Sequence, residues 1–334
     1  MKANEWVVGI SPLPIRAGPP GILAPNWIYV TILRARLSSQ FLCPPAYDGH
    51  NDIMTTSIQS PGGAGEGGQS VKPERTVPNQ TISTLLNRRT IRAFTNEAID
   101  SDTVAILEQA AQHAATSRYF NEWSAIRITD SDKARAIADM AHQDYVSQAP
   151  LLYIFLADQR RNADLARQGG VDIDADSFIL NTGYAFLQSQ NDAVLALHAM
   201  ETAANSLGLG AVILGSVVND VEGLIDLLDL PRLVYPVLGL AIGHPDQDPS
   251  MKPRMPRPAQ IFINSYGQSD KPGEVDQALK DFDETVRLYY RDLRHMDAPR
   301  KAFSQIMADK SCSPKEGHEP MLPSIQAQGF DMSR

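Results

Sequence analysis

From about residue 79 onwards, apolar side chains recur along the chain with the periods of helices and strands. Helical spacing is seen at Val104, Leu107, Ala110 and Ala111. We expect Ser101 or Asp102 to cap that helix, and Thr81 to cap a shorter one over "ISTLLNR". The same period predicts helices over "SDKARAIADMAHQDYV" and "EVDQALKDFDETVRLYYRDL".

Apolar runs of strand length lie between these helices. The segment "EWSAIRITD" has the pattern of a half-buried strand, whereas the unbroken run "APLLYIFLAD" predicts a strand in the centre of a sheet. Two more strands are predicted, over "AVILGS" and over "YPVLGLAIG". Between them lies a predicted helix, "NDVEGLIDLLDL", which Pro231 would end.

One long helix is predicted from Ser177 to Leu207, with Gly208 as a left-handed residue after its end. The second half of this helix is apolar on nearly all sides, so we expect it to be buried, with His198 as a hydrogen-bonded core histidine. The order of helices and strands predicts a mixed α/β layer fold with a long buried helix.

The first 79 residues differ in composition from the rest. Stretches such as "SPLPIRAGPPGILAPNW" and "SPGGAGEGGQS" are too rich in Pro, Gly and Ser to support a packed core, which predicts a disordered extension. Acidic residues are scarce before Asp48, so a cleavable mitochondrial presequence over residues 1–79 is an open alternative, and Met54 is an alternative start.

Charge and cysteine content narrow the classes of partner. The net charge of −9 argues against a nucleic-acid partner. Cys43 and Cys312 are the only cysteines, too few for a disulfide framework or a thiolate metal site, which favours a reducing, cytoplasmic location. No apolar run reaches the roughly 18 residues that cross a bilayer, so we expect no membrane partner. The seven histidines show no paired ligand spacing, so we expect no metal.

Two cationic clusters stand out against this acidic background. "RRTIRAF" places Arg88, Arg89 and Arg92 within five residues, and "KPRMP" fixes Lys252 and Arg254 between prolines. The second cluster by itself is equally consistent with an exposed basic turn. Because the planar fork of arginine binds phosphate oxygens in pairs, both clusters together predict convergence on one phosphate group.

Motifs of other enzyme classes are incomplete. "LGLGAVILGS" follows a helix and precedes a strand, the reverse of a dinucleotide fingerprint, and lacks a glycine at position 213. Its glycines are instead expected to end the helix and to allow close backbone approach, leaving room for a flat ligand against residues 213–216. "DIDADSF" lacks the glycine and glutamate of a calcium loop, and no nucleophile elbow is present.

Five segments occur in an order that resembles the FMN-dependent nitroreductase superfamily. They are "RRTIRAFTNEAI", "AAQHAATSRYFNEWSAIRITD", "ANSLGLGAVILGSVVND", "YPVLGLAIGHP" and "KPRMP". The chain is most similar to the subgroup of oxygen-insensitive NADPH nitroreductases and NADPH–flavin reductases. The resemblance covers residues 80–300 and implies an α+β fold there, with a mixed sheet flanked by helices around the long buried central helix. It implies a nitroreductase-like FMN-binding domain over these residues and an intertwined homodimer, and we expect a flexible tail over residues 301–334.

The resemblance also implies roles for individual residues. The FMN phosphate and ribityl chain would be held by Arg88, Arg89, Thr90, Lys252 and Arg254, with Arg92 reaching the ribityl and pyrimidine side. A covering loop, from the partner chain, would supply Ser117, Arg118 and Asn121. The ring would lie near Gln143 and along Ile213, Leu214, Gly215 and Ser216.

The implied activity is an FMN-dependent oxidoreductase with NADPH as co-substrate. A hydride would pass from NADPH via flavin N5 to a nitroaromatic, quinone or flavin acceptor by a ping-pong mechanism, with no catalytic side chain. Arg294 and Arg300 are candidates for the NADPH 2′-phosphate, although a solvated basic turn fits them equally well. Arg118 and Tyr119 are bulkier than the serines usual in the family, which keeps open a flavin storage or sensor protein with little turnover.

Overall fold

The computed structural model describes residues 79–267, 271, 273–293, 302–311 and 321–334, all within the compact unit Val71–Arg334. The predicted extension over residues 1–79, with its possible presequence, lies outside these residues, apart from Asn79 itself. Within the described ranges, no helix has both the length and the apolar character that crossing a membrane requires.

Helices and strands alternate along the first two thirds of the described chain, and helices alone follow. Their order is α1 (Gln80–Asn87), α2 (Ser101–Gln112), β1 (Trp123–Ile128), α3 (Ser131–Ala141), β2 (Leu151–Asp158), α4 (Arg160–Gln168), α5 (Gly183–Ser206), β3 (Gly210–Leu214), α6 (Val221–Leu227), β4 (Val234–Gly243), α7 (Glu274–Leu288), α8 (Phe303–Ser311) and α9 (Met321–Ala327). This content confirms the predicted α+β class.

The four strands form one sheet in the order β1-β2-β4-β3. All three strand pairs are antiparallel, whereas a mixed sheet was expected. Among the described residues, parallel pairing occurs only in isolated bridges such as Thr90–Ala211. The unbroken apolar run forms β2, which lies between β1 and β4 as predicted. Seven of its eight residues are buried, because helices cover both faces of the sheet.

Each face of the sheet has its own apolar core. On one face, side chains of β2 and β3 pack with α3 and α6, as in the cluster that contains Ile137, Ile154, Leu214 and Leu224. On the other face, α2 and α5 pack on the sheet through Leu107, Phe155, Leu197, Met200 and Leu240. The candidate functional site lies along β3, whose side chains belong to both of these cores.

Helix α5 begins at Gly183, six residues later than the predicted start at Ser177. Thr182 caps it, and the Thr182 hydroxyl accepts from the Ala185 N–H at 3.3 Å. The Gly183 N–H donates to the backbone oxygens of Asp331 and Arg334 at 2.9 and 3.0 Å. This tertiary contact, invisible to local periodicity, fixes where the helix starts.

The end of α5 agrees with the sequence, but its burial is only partly as predicted. Gly208 follows the helix at φ 79°, the left-handed conformation expected of it. Solvent reaches one stripe of the helix, formed by Tyr184, Leu187, Val194 and Leu195. His198 lies at this exposed side, with 53% of its side chain accessible, so the prediction of a core histidine is wrong.

Helix starts differ from prediction by one or two residues because the capping side chain lies further upstream. Asp100, rather than Ser101 or Asp102, caps α2 by accepting from the Thr103 N–H at 2.8 Å. Asn79, rather than Thr81, caps α1 by accepting from the Ile82 N–H at 3.0 Å.

The C-terminal residues, expected to belong to a flexible tail, include a packed segment. Phe330 is 1% exposed and meets the ring of Phe186 in α5 edge-on, with 5.0 Å between ring centroids. The Leu233 N–H at the start of β4 donates to the Gln328 oxygen at 2.7 Å. Residues 328–331 are therefore part of the folded core.

Candidate functional site

The first cationic segment lies directly beside β3. Thr90 forms a parallel bridge with Ala211, and the Ile91 N–H donates to the Ala211 oxygen at 3.0 Å. The Ile91 side chain lies 2.8 Å from the point where a Cβ on Gly210 would stand. Gly210 is thus required for close approach of this segment, as its position in the sequence indicated.

The same segment contacts the loop that follows β4. The Thr95 N–H donates to the His244 oxygen, and the Asp246 N–H donates to the Ala93 oxygen, both at 2.9 Å. Phe94 forms an antiparallel bridge with Pro245. The chain after α1 is therefore held between β3 on one side and residues 244–246 on the other.

Arg89 connects the first cationic cluster to the loop after β4. Its Nη1 forms an ion pair with Asp248 and donates to the Pro249 oxygen at 3.3 Å. Lys252 follows Pro249 by three residues, so their Cα atoms are at most about 11 Å apart in an extended chain. The chain that leads to the second cluster thus begins beside the first cluster, and the convergence of both on one phosphate stays a prediction.

Three cations of the site carry no ion pair among the described residues. They are Arg92, Lys252 and Arg254, and each is exposed. Arg88 and Arg89, in contrast, are paired with Glu201 and Asp248. An anion could approach the free cations without first displacing a protein carboxylate.

Glu201 is a member of the site that sequence reasoning missed. It lies on α5, is 1% exposed, and accepts from Nε of Arg88 through Oε1. Its second oxygen lies 3.1 Å from Nδ1 of His198. The available signal was one acidic residue in an otherwise apolar half of a helix, a pattern that calls for a buried partner.

The turn after β3 offers backbone to a ligand. Gly215 is exposed, and a Cβ added there would meet no atom within 4 Å. Ile213 is half-buried, and Ser216 opens a single 3-10 turn to Val218. The Leu214 side chain is in the core, so only its backbone can face a ligand. A flat group could approach this turn closely.

Gln143 is placed near that turn by packing. It follows α3, and its N–H closes the end of the helix on the Ala138 oxygen at 3.0 Å. Its side-chain oxygen accepts from the Tyr145 hydroxyl. The neighbouring Val146 packs in the same apolar cluster as Val217, which follows the β3 turn.

The predicted covering loop lies elsewhere in the same chain. The Asp192 carboxylate on α5 accepts from the N–H groups of Ser117 and Glu122 at 2.9 and 3.2 Å, which closes both ends of the loop. Asp192 and Glu201 are nine residues apart on α5, or about 13 Å along the helix axis. Ser117, Arg118 and Asn121 are therefore not brought to the arginine cluster within one chain.

This loop has a strained backbone. Arg118, Tyr119 and Asn121 have φ values of 50°, 62° and 49°, in the left-handed region that disfavours residues other than glycine. The Arg118 guanidinium lies over the Phe120 ring, 4.6 Å from its centroid, and Tyr119 is 88% exposed. The loop therefore exposes the Tyr119 ring to solvent.

Glu122 at the base of the loop is fully buried, at 0% exposure. Neither of its carboxylate oxygens has a hydrogen-bond partner among the described residues, and Nη2 of Arg118 lies 3.6 Å away. Burial raises the pKa of Glu122 above its usual value, an effect that Gln159 and Arg118 partly oppose. Sequence reasoning missed this residue as well.

Two further expectations concern the NADPH contacts and metal binding. Arg294 and Arg300 lie outside the described residues. Among the residues that the structure does describe, no group of three or more His, Cys, Asp or Glu side chains could hold a metal ion.

Known proteins are similar to this chain in sequence and in fold. The Nitroreductase family profile matches residues 85–244, and that of the Nitroreductase family C-terminal domain matches residues 252–333. "FMN reductase (NADPH)" of Bacillus subtilis is 34% identical over 215 residues, which are 64% of this chain and 84% of the relative. "NADPH-flavin oxidoreductase" of Vibrio harveyi is 30% identical over 75% of this chain and 98% of its own length.

A solved structure titled "Structure of NfrA1 nitroreductase from B. subtilis" superimposes with a TM-score of 0.68 at 31% identity, over 75% of this chain and 99% of that one. Fold, cationic site and relatives together define the chain as an oxidoreductase. It belongs to the nitroreductase family.

Proposed function

We propose that the chain is an FMN-dependent oxidoreductase that passes electrons from NADPH to nitroaromatic, quinone or flavin acceptors by a ping-pong mechanism. The observation that carries this proposal is the ion pair between Arg89 and Asp248, which holds the first cationic cluster against the loop after β4 that leads to Lys252 and Arg254. The names of the two relatives, "FMN reductase (NADPH)" and "NADPH-flavin oxidoreductase", support the cofactor and the electron donor.

The donor set of this site fits FMN. A phosphate monoester carries a charge of about −1.5 to −2 at neutral pH, and such a group binds arginine forks in charge-assisted hydrogen bonds. Arg92, Lys252 and Arg254 are free of protein carboxylates among the described residues, and Arg88 and Arg89 keep N–H groups to spare. Open space at Gly215 suits a flat ring.

When bound, FMN would supply the two-electron chemistry, taking a hydride from NADPH at N5 and giving it to the acceptor. The chain's own residues would bind and orient. Thr90 offers a hydroxyl to the phosphate and ribityl chain, and Arg92 offers a positive charge to the pyrimidine side. Backbone N–H groups from Ile213 to Ser216 would act as donors along the ring, with Gln143 near them. No side chain is assigned as nucleophile.

We propose a homodimer in which Ser117, Arg118 and Asn121 contact the partner subunit's cofactor. Their distance from the arginine cluster along α5 supports a contribution in trans. The exposed stripe of α5, which contains Leu187, Val194 and Leu195, offers an apolar surface for the second copy. Arg294 and Arg300 remain candidates for the NADPH 2′-phosphate.

The test uses the purified full-length chain. We expect a yellow protein that releases FMN on denaturation and oxidises NADPH when a quinone is added. Initial rates at several acceptor concentrations should give parallel double-reciprocal lines. A colourless chain that binds no added FMN contradicts the proposal, and retained FMN without NADPH oxidation indicates a storage or sensor protein instead.

A further inference from the structure

Glu201 is a buried carboxylate to which the proposed function gives no task. It is 1% exposed and lies on α5, where its buried neighbours Met200 and Ala204 are apolar. A lone carboxylate in such surroundings is strongly destabilising unless it is paired. Its partners are Arg88, which donates from Nε to Oε1, and His198, whose Nδ1 lies 3.1 Å from Oε2.

The atom through which Arg88 is held has a geometric consequence. A guanidinium carries five N–H groups in one plane, and a bond through Nε leaves the four on the two terminal nitrogens. Those four form the fork that binds two oxygens of a phosphate. Glu201 therefore fixes the Nε edge of Arg88 and leaves the end of its fork for another anion.

The backbone around Arg88 supports this orientation. Arg88 follows the last residue of α1, and three residues later the Ile91 N–H is bonded to Ala211 in β3. The Arg88 side chain thus reaches from the segment after α1 to α5, and 23% of it is exposed. Part of the Arg88 side chain therefore stays open to a ligand from solvent.

We propose that Glu201 is a positioning residue for phosphate binding, which holds Arg88 through Nε so that its terminal nitrogens face the FMN phosphate. This inference rests on the proposed function. The negative charge of Glu201 opposes binding of an anion, whereas its hydrogen bond aids binding by orienting Arg88. His198 holds the second oxygen and so sets the rotation of the carboxylate.

Variants at position 201 separate the charge from the bond. Glu201→Gln keeps an oxygen that can accept from Nε and removes the charge, so its FMN affinity should equal or exceed that of the native chain. Glu201→Leu removes the acceptor and should weaken FMN about tenfold, the usual scale of one charge-assisted hydrogen bond. Riboflavin, which lacks the phosphate, should bind all three proteins equally.

The measurement is a fluorescence titration of flavin-free full-length protein with FMN and with riboflavin. The ratio of the two dissociation constants isolates the phosphate, because a merely structural loss would weaken both ligands alike. In an Arg88→Ala background there is no guanidinium to orient, so Glu201→Leu should no longer weaken FMN relative to riboflavin. Glu284→Leu, which breaks an exposed carboxylate–arginine pair on α7, is the matched control.

Distinct results overturn the inference and the proposed function. If Glu201→Leu leaves the FMN-to-riboflavin ratio at the native value, or if Glu201→Gln is as weak as Glu201→Leu, the positioning role is refuted. If the native chain binds neither flavin, the proposed function itself fails. Should Glu201→Leu not fold, Glu201→Asp replaces it, since a side chain shorter by one methylene withdraws from Nε and should weaken FMN selectively.

Discussion

Arg89 and Asp248 are 159 positions apart in sequence and form an ion pair at the surface of the folded chain. The pair joins the segment after α1 to the loop after β4. Exposed pairs of this kind stabilise a fold by only about 0–1 kcal/mol, so the importance of this pair lies in holding the two segments together rather than in stability.

Removing the free cations should weaken FMN binding selectively. We expect Lys252→Ala and Arg254→Ala each to raise the dissociation constant of FMN by roughly tenfold, because each deletes a charge-assisted contact to the phosphate. Riboflavin affinity should stay constant. Arg257→Ala, an exposed arginine three residues further on, is the control, and equal effects of all three substitutions would argue against a specific phosphate site.

Gly210→Ala should destabilise the fold by about 1–3 kcal/mol, because its new Cβ would lie 2.8 Å from the Ile91 side chain. Urea unfolding measures the loss. The double variant Gly210→Ala with Ile91→Gly, which removes the Cβ, Cγ1 and Cγ2 atoms that crowd this point, should be more stable than the two single losses would add up to. Gly215→Ala is the stability control, since its Cβ meets no atom within 4 Å. Strict additivity at positions 91 and 210 would contradict the close contact.

Asp192→Ala should free the loop between Ser117 and Glu122. The carboxylate accepts from the N–H groups at both ends of that loop, and the strained residues between them need this support. We expect faster amide hydrogen exchange over residues 117–122 and a loss of about 1–3 kcal/mol. Asp192→Asn keeps one acceptor, so its amide exchange and its stability should lie between those of the native chain and of Asp192→Ala. Unchanged exchange in the Ala variant would show that the loop is held otherwise.

The buried Glu122 should make stability depend on pH in a defined direction. Its pKa is raised in the fold, so above the unfolded value of 4.5 the native state binds more protons than the unfolded state, and stability falls as pH rises. Glu122→Gln removes this penalty. We expect the variant to be more stable than the native chain at pH 8, with a difference that shrinks as the pH approaches 4.5.

Unfolding midpoints of the two proteins at several pH values check this prediction. Glu284→Gln is the matched control. Hydrogen bonding to Arg287 lowers the pKa of the exposed Glu284, so the contribution of Glu284 to stability changes with pH in the opposite direction. A Glu122→Gln variant that is less stable than the native chain at every pH would show that the buried carboxylate is satisfied in the fold.

The proposed homodimer predicts an effect of charge on the exposed stripe of α5. Leu195→Arg places a charge on that stripe, where Leu195 is 47% exposed, and should shift the protein towards monomer in size-exclusion chromatography with light scattering. Flavin retention should fall with it, since the covering loop is proposed to act in trans. Leu165→Arg, on the exposed side of α4, should change neither property.

Much of the fold was predictable because local periodicity reports burial directly. The unbroken apolar run of β2 could lie only in the centre of a sheet, and the glycine after α5 adopts the left-handed conformation assigned to it. Both cationic clusters are visible in the sequence itself, but their convergence on one phosphate stays a prediction. The structure adds that Asp248 is the counter-charge of Arg89.

What the sequence could not supply are contacts between distant residues. The start of α5 depends on Asp331, and its exposed stripe reads as apolar in sequence although solvent reaches it in one chain. Glu201 and Asp192 lie on one helix with no local sign of their partners. Glu122 stands beside a strand, and only the folded structure shows that it is sealed from water.

The parallel bridge between Thr182 and Asp331 has a consequence for biosynthesis. During translation, Thr182, the cap of α5, emerges long before Asp331, the residue that pairs with it. Helix α5, which carries Asp192 and Glu201, therefore cannot complete its first turn of contacts until the ribosome has made residues 328–331. The nascent chain should gain its final packing late, and a premature stop codon upstream of them would leave Phe186 facing water.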